Sequence, residues 1–355
     1  MDNSILIITF SDNFDHQDIA YGLHHALQHK NGVQSSVVLI NKPKITYVSD
    51  PEVHLVNCPR RPGICFNSFN IIELIRISRW INSKHFKIIY FESLHLWNLF
   101  LLVIYHNRIK MIQMIHDIIP HQGDNKRLFV YLLSLFTAKL ANRVTVCSKQ
   151  HIATASSMFK IPTNKISFVE LSRRFPQYSP PSFTKTFLFF GRINPYKGVN
   201  NLITLIRSCP HANFLVVGKV DQQCETQIHQ LMKYSNVKVI NQYVSSQEMD
   251  NYFKISDWVI LPYSSATQSG VIVDSYRNGR PCIAFDVGAI SEQIIDNITG
   301  YLIPDQNINL FIQKINFVLK MSKNNYSSMS LSAYHFGMKH YDALNVVDSF
   351  LQILE

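Results

Sequence analysis

The sequence predicts an α/β protein made of two doubly wound, parallel-sheet domains. Its 355 residues exceed what a single core usually organises, so two domains are the natural expectation. Short β-branched and aromatic runs alternate with longer amphipathic stretches, the pattern of parallel strands carrying helices on both faces. That alternation stops once, at "LSRRFPQYSPPSFTKT" (Leu171–Thr186), and then restarts.

In order along the chain, "ILIITF", "QSSVVLI", "KIIYFE", "KMIQMIHD" and "RVTVCS" read as strands of the first sheet. Helical periodicity covers Phe69–Ile81 and Leu128–Ala141 between them. The Pro- and Ser-rich break has no periodicity and reads as a linker. "FLFFGR", "NFLVVGK", "VKVINQ", "WVILPY" and "PCIAFD" then supply a second set of strands. The expected division is residues 1–170, a linker at 171–186, a second domain at 187–331 and a helical tail at 332–355. The tail is expected to pack back on the N-terminal domain. No internal repeat or low-complexity tract interrupts this plan. In sheets of this kind ligands bind beyond the carboxyl ends of the strands, so the loops that follow strands are where chemistry is sought.

Composition narrows the class. Apolar residues make up 46% and charged residues 16%, as in a well-buried globular protein. "MDNSILIITFSDNFD" has neither a basic region nor a long apolar core and reads as a first strand, so no signal peptide is expected. The longest apolar runs, Leu96–Tyr105 and Leu128–Ala141, fall short of the roughly 20 residues a bilayer span needs. Cys58, Cys65, Cys147, Cys209, Cys224 and Cys282 form no C-x-x-C pair and read as structural thiols in a reducing cytoplasm. The net charge of +10 is uneven: residues 1–180 hold 20 Lys and Arg against 11 Asp and Glu, and the rest hold 14 against 13. The N-terminal half is therefore expected to face something anionic, an acidic membrane leaflet or a phosphorylated acceptor. Nucleic acid is not expected, because no zinc-ligand spacing, basic zipper or RNA-binding aromatic signature occurs.

Two stretches carry the chemistry. In "FLFFGRINPYKGVNNLITLI" a buried strand ends at Gly191, and Arg192 and Lys197 follow across a turn. Two cations at a strand's carboxyl edge suit a diphosphate, Arg forking onto oxygens and Lys adding a compact charge. The alternative is a solvated turn with two unrelated cations. The spacing is not that of a P-loop. In "WVILPYSSATQSGVIVDSYRNGRP" a strand leads through a polar loop into a helix. Amides around Thr267, Gln268, Ser269 and Gly270 at that helix's start offer an anion site. Asp274, about one turn on, can accept hydrogen bonds from a ribose diol. The plainer reading makes Thr267 or Ser269 an ordinary cap and Asp274 a favourable charge.

"GRINPYKG", "YVSSQEMDNYFKISDWVILPY", "ATQSGVIVDSYRNGRPCIAFDVGAISE" and "NITGYLIP" together resemble the C-terminal half of the family-4 glycosyltransferases, retaining enzymes of the two-Rossmann-domain GT-B fold. The resemblance covers roughly residues 185–305. It implies that Arg192 and Lys197 hold the donor diphosphate and that Gly191 and the Thr267–Gly270 amides complete the cradle. It also places Asp274 at the second acid of the family's E-x7-E motif and Ala266 at the first, so one carboxylate contact to the donor sugar is missing. Base contacts in this fold come largely from main chain, here near Tyr243 and Val244. In the N-terminal half "QMIHDIIPHQGD" matches best. There His116 is the first catalytic candidate, and Asp117 and His121 are acceptor-side candidates. The glycine-rich first loop of many relatives is replaced by Asp12, Asp15, His16 and Asp18; Asp12 is the acceptor-side candidate among them.

The resemblance implies transfer of a sugar from a nucleotide-diphosphate donor to a glycan acceptor, carried on a polyprenyl diphosphate, in surface polysaccharide or O-antigen synthesis. No D-x-D motif occurs, so neither metal nor cofactor is expected, with fixed cations stabilising the leaving phosphate instead. The expected location is cytoplasmic, with peripheral attachment to the inner face of the membrane through the basic half and its apolar helices. Two other readings are a GT-B sugar-nucleotide 2-epimerase and a non-catalytic member that binds nucleotide sugar or glycan.

Overall fold

In the computed structural model, residues 3–45, 50–59, 66–118, 127–181 and 183–354 are described. The chain forms two units, Met1–Arg174 with Asp342–Glu355, and Phe175–Tyr341. The crossings therefore fall at Arg174/Phe175 and Tyr341/Asp342. The boundary expected at 331/332 lies inside a helix, Lys323–Tyr341, whose buried side runs from Tyr326 to Tyr341.

The first unit runs β1 (Asn3–Ile8), α1 (Phe14–Gln28), β2 (Val33–Ile40), β3 (Val53–Val56), α2 (Ile71–Lys84), β4 (Ile88–Phe91) and α3 (Leu96–Ile104). It continues with β5 (Lys110–Met114), α4 (Arg127–Leu140), β6 (Arg143–Val146), α5 (His151–Phe159) and β7 (Ile166–Phe168). Among the described residues its strands form one parallel sheet in the order β3-β2-β1-β4-β5-β6-β7. The strands are short and almost wholly apolar because both faces are covered; β4, for example, is buried at every position. Phe10, Trp97, Leu101 and Leu102 fill one side of the sheet, and Val144, Phe159 and Ile161 belong to a second cluster.

The second unit holds β8 (Thr186–Phe190), α6 (Val199–Ser208), β9 (Asn213–Val217), α7 (Glu225–Leu231), β10 (Val237–Ile240), α8 (Ser246–Lys254) and β11 (Trp258–Leu261). After these come α9 (Gly270–Arg277), β12 (Cys282–Asp286), β13 (Gly300–Pro304), α10 (Ile308–Leu319) and α11 (Lys323–Tyr341). Its sheet is parallel, in the order β10-β9-β8-β11-β12-β13. The reversal of strand order between β8 and β11 sets the loops after these two strands side by side, the switch-point geometry at which such folds bind ligands. Ser245 and Glu248 close α8 with a capping box. Arg280 is buried, and its guanidinium donates to the carbonyls of Phe253 (2.8 Å), Asn278 (2.7 Å) and Lys254 (3.1 Å). It satisfies the orphan carbonyls at the end of α8, a structural role.

The last helix, α12 (Ala343–Leu354), belongs to the first unit. It packs on α1, with Phe350 edge-on to Tyr90 at 4.9 Å and Lys30 paired to Asp348 at 2.8 Å. Among the described residues no helix is long and apolar enough to cross a membrane.

Candidate active site

In the second unit the loops after β8 and β11 are joined at several points. Ser264 donates to the Tyr196 carbonyl through its amide (2.9 Å) and its hydroxyl (3.0 Å), and Asn201 donates to the Pro262 carbonyl (3.1 Å). A Cβ on Gly198 would overlap that same carbonyl, and one on Gly288 would overlap the Ala266 carbonyl. Main chain meets main chain at both places, which only glycine permits.

Lys197 closes a turn of 3-10 helix and is buried. Its Nζ donates to the Phe190 carbonyl at 2.8 Å, at the very end of β8. A Cβ at Gly191, whose φ is +95°, would lie 2.6 Å from that Nζ and 3.7 Å from Val271 in the first turn of α9. Gly191 is thus the gap through which the ammonium and the start of α9 share one space. The Lys197 ammonium also stands 5.4 Å from the ring centre of Tyr263. Burial pushes the Tyr263 hydroxyl far up, and a hydrogen bond with Ser269 opposes this. The structure therefore connects Lys197 to the Thr267–Gly270 loop through Tyr263.

The start of α9 is held from below. Ser269 is its N-cap residue but makes no side-chain cap bond. Gln293 instead accepts from the Ser269 amide (2.7 Å) and donates to its carbonyl (3.1 Å). Gln268 is half-buried, and its Oε1 is buried without a hydrogen-bond partner, an acceptor awaiting a donor. Asp274 is buried on α9 with Arg277 Nε at 4.0 Å, and Arg277 pairs with Asp250 at 2.6 Å. Arg192 is exposed; with the Asn194 amide oxygen turned towards it, Nε and Nη2 donate at 3.1 and 3.2 Å. Of the two expected cations, Lys197 is the one that shares the Gly191 gap with α9. Tyr243 is exposed and Val244 half-buried, in the loop between β10 and α8.

In the first unit, three strand ends in sheet order β4-β5-β6 deliver Glu92, His116 and Cys147 side by side. His116 Nε2 lies 2.7 Å from Glu92 Oε1 and 2.9 Å from the Glu92 carbonyl, and its Nδ1 lies 3.4 Å from Cys147 Sγ. His16 on α1 reaches the same carboxylate, its Nδ1 3.1 Å from both oxygens. His16, Glu92 and His116 thus cluster as a metal site would. Their separations are hydrogen-bond lengths, however, shorter than the roughly 3.3 Å edge of a tetrahedron with ~2.0 Å bonds. Full burial alone would raise the Glu92 carboxyl, but the two histidines hold it below the usual range. Burial likewise opposes a charge on His116; Cys147 and Glu92 outweigh it and raise the imidazole well above its ordinary value. The protonated form of His116 is thereby favoured over the free base.

The other first-unit candidates are dispersed. Asp12 and Asp117 are half-buried, and His121 lies outside the described residues. The acids that replace the first glycine-rich loop face the end of the first-unit chain: Asp15 pairs with Arg173 and Asp18 with Arg174, at 2.7 and 2.8 Å. Sequence reasoning missed Glu92, Cys147, Tyr263 and Gln293. The signal was present in part, since Glu92 and Cys147 each follow a strand directly, as His116 nearly does.

The sequence model of the family "Glycosyl transferases group 1" matches residues 173–336. The match covers a little under half of the chain and makes these residues similar to that family. The matched stretch carries Lys197, Tyr263, Ser269, Asp274 and Gln293. The D-inositol 3-phosphate glycosyltransferase of Mycolicibacterium smegmatis is 25% identical over 145 residues, 39% of this chain and 33% of that protein. The chain spans about a third of the length of the curated relatives it matches. Among solved structures, the sucrose-phosphate synthase of Thermosynechococcus elongatus superposes with a TM-score of 0.77 at 14% identity, over 99% of this chain and 98% of that one. Anabaena Alr3699/HepE, solved in complex with UDP-glucose, gives 0.68 at 16% identity, over 99% of each chain. At these identities the likeness is one of fold. The two parallel-sheet units have the Rossmann-like architecture of GT-B glycosyltransferases.

Proposed function

We propose that the protein is a retaining glycosyltransferase that moves a sugar from a nucleotide-diphosphate donor to a glycan acceptor carried on a lipid diphosphate. The observation that carries this reading is the buried Lys197 ammonium, pinned by the Phe190 carbonyl beside Gly191 and the first turn of α9. Breaking the bond between the anomeric carbon and the diphosphate builds negative charge on the leaving phosphate. A fixed ammonium and a helix N-terminus are already oriented for that charge and need no reorganisation as it forms. Arg192 adds a second cation in the same loop, and Asp274 receives the ribose. Lys197 supports a reaction without metal, and the absence of an evident carboxylate nucleophile in the sequence favours front-side, phosphate-assisted displacement. His116, held as an imidazolium, serves as an electrostatic partner rather than a general base. The unpartnered Oε1 of Gln268 supports recognition of a donor-sugar hydroxyl.

The lipid side of the proposal is supported by surface chemistry. On α4, Leu128, Leu132 and Phe136 recur every four residues and are 71, 38 and 50% exposed, an apolar stripe on one helix face. On the contacting α3, Val103 and Ile104 are also exposed. Such a stripe within a basic half suits the headgroup region of an anionic bilayer.

The deciding experiment incubates the protein with UDP-, GDP- and ADP-sugars and a polyprenyl-diphosphate-linked acceptor, with product configuration read by NMR. The expected product keeps the donor's anomeric configuration, its yield is unchanged by a chelator, and Lys197→Ala with an intact fold slows transfer at least ~100-fold. Interconversion of a nucleotide sugar without acceptor, or binding without turnover, would overturn the proposal.

A further inference from the structure

We propose that Cys147, hydrogen-bonded to His116 Nδ1, is a nucleophilic thiol and a site of modification by small hydroperoxides. Hydrogen bonds within the first unit set the proton positions here, whichever reaction the protein catalyses. His116 Nε2 faces two groups that can only accept, the Glu92 carboxylate at 2.7 Å and the Glu92 carbonyl at 2.9 Å. Nε2 must therefore carry a hydrogen. That leaves Nδ1 as the ring atom able to take a proton, and it sits 3.4 Å from Cys147 Sγ. The thiol proton then lies between sulfur and Nδ1, and the buried Glu92 carboxylate favours its resting on the ring.

Among the described residues, ionisable groups reach this pair from β4 and α1. Glu92 follows β4, and His16 shares its carboxylate from α1. Tyr90 on β4 is a third ionisable neighbour, and burial keeps its hydroxyl neutral. Glu92 brings a negative charge to this set, and it bears on His116 rather than on sulfur. Cys147 is only partly buried, whereas Cys209, Cys224 and Cys282 are buried and burial pushes all three thiols up.

A built-in comparison shows why proximity to histidine is not enough. Cys58 is also partly buried, with His95 Nε2 3.6 Å away. His95 Nδ1 accepts from the Trp97 amide at 3.1 Å, and its Nε2 lies 3.1 Å from the Pro59 carbonyl. With the Nδ1 lone pair committed, Nε2 carries the hydrogen and donates. His95 cannot take the Cys58 proton without losing a bond, so Cys58 remains a thiol.

The oxidation balances within the pair. The Cys147 sulfur attacks one peroxide oxygen, the O–O bond breaks, and the departing hydroxide takes the Nδ1 proton of His116 and leaves as water. Sulfur is oxidised to the sulfenic acid and the peroxide is reduced.

The test is site-resolved labelling of the intact protein with iodoacetamide, read by mass spectrometry from pH 6 to 8. The expected Cys147 rate changes less than about threefold across that range, while Cys58 rises steeply, as an unactivated thiol does. Hydrogen peroxide followed by dimedone is expected to trap sulfenic acid at Cys147 before Cys58. Glu92→Gln keeps an acceptor for Nε2 but removes the charge, and is expected to restore a rising pH profile at Cys147. If that variant does not fold, the wild-type comparison of the two cysteines decides alone. A Cys147 that rises like Cys58, stays unlabelled in the native protein or yields no dimedone adduct overturns the proposal. Protection of Cys147 by added Zn2+, reversed by chelator, also overturns it and makes the cluster a metal site.

Discussion

Replacing Gly191 with alanine separates the fold from the chemistry at the proposed diphosphate site. The residue has φ +95°, so any L side chain there is strained by about 1–2 kcal/mol. In a unit of this size that strain lowers Tm by roughly 2–8 °C. The new methyl would lie 2.6 Å from Lys197 Nζ, and ordinary contact begins near 3.4 Å, so the ammonium must retreat by about 0.8 Å. A long, flexible side chain moves that far at little cost in stability, but its hydrogen bond to the Phe190 carbonyl is stretched or lost. Misplacement on this scale costs up to ~100-fold where geometry governs catalysis. The expectation is a small fall in Tm, a nucleoside diphosphate bound at least ~10-fold more weakly by calorimetry, and a comparable or larger loss of transfer. If G191A loses stability but binds the nucleotide normally, Lys197 does not meet the pyrophosphate and the proposed site is wrong.

Gln293→Ala removes both bonds to Ser269 and leaves two buried main-chain groups unpaired; it should cost about 1–3 kcal/mol in denaturant melts and weaken nucleotide binding with it. Arg280→Ala should be strongly destabilising, since the carbonyls of Phe253 and Lys254 at the end of α8 and of Asn278 at the end of α9 lose its guanidinium, yet any folded fraction should bind nucleotide with unchanged affinity. In the first unit, the depressed Glu92 contributes stability that is present above pH ~4.5 and lost as pH falls through its folded value. The raised His116 contributes stability that is full below pH ~6.5 and lost as pH rises through its folded value. Glu92→Gln should flatten both limbs of a Tm-against-pH curve, and unchanged limbs would exclude the pair as their source. Leu128→Glu with Phe136→Glu should abolish co-sedimentation with phosphatidylglycerol vesicles; retained binding would move the lipid contact elsewhere.

The fold was legible because its strands are short apolar runs spaced by amphipathic helices, a pattern local enough to read without coordinates. "FLFFGR" and "WVILPY" became β8 and β11, and the loops that follow them proved to be neighbours. Residues set by sheet order rather than by sequence spacing were not legible. Glu92, His116 and Cys147 lie far apart along the chain and meet because β4, β5 and β6 are adjacent. The role of Gln293 was equally hidden, since nothing in "AISEQI" reveals that its amide brackets Ser269 from 24 positions away. Arg280 is the opposite case. An arginine beside a suspected anion site invites a functional reading, and the three carbonyls around it assign it instead to the ends of α8 and α9. The extent of the second unit was misjudged because the Pro-rich break was legible, whereas the return crossing at Tyr341/Asp342 has no Pro, Gly or Ser to mark it.

The two glycine contacts beneath the β8 and β11 loops have an evolutionary consequence. Where Gly198 abuts Pro262 and Gly288 abuts Ala266, the floor of the site is fastened by backbone alone. Changes at Ala266 or Gln268 can then alter what rests above the floor without shifting it. Descendants of such a chain could change the side chains above that floor and inherit the proposed anion site whole.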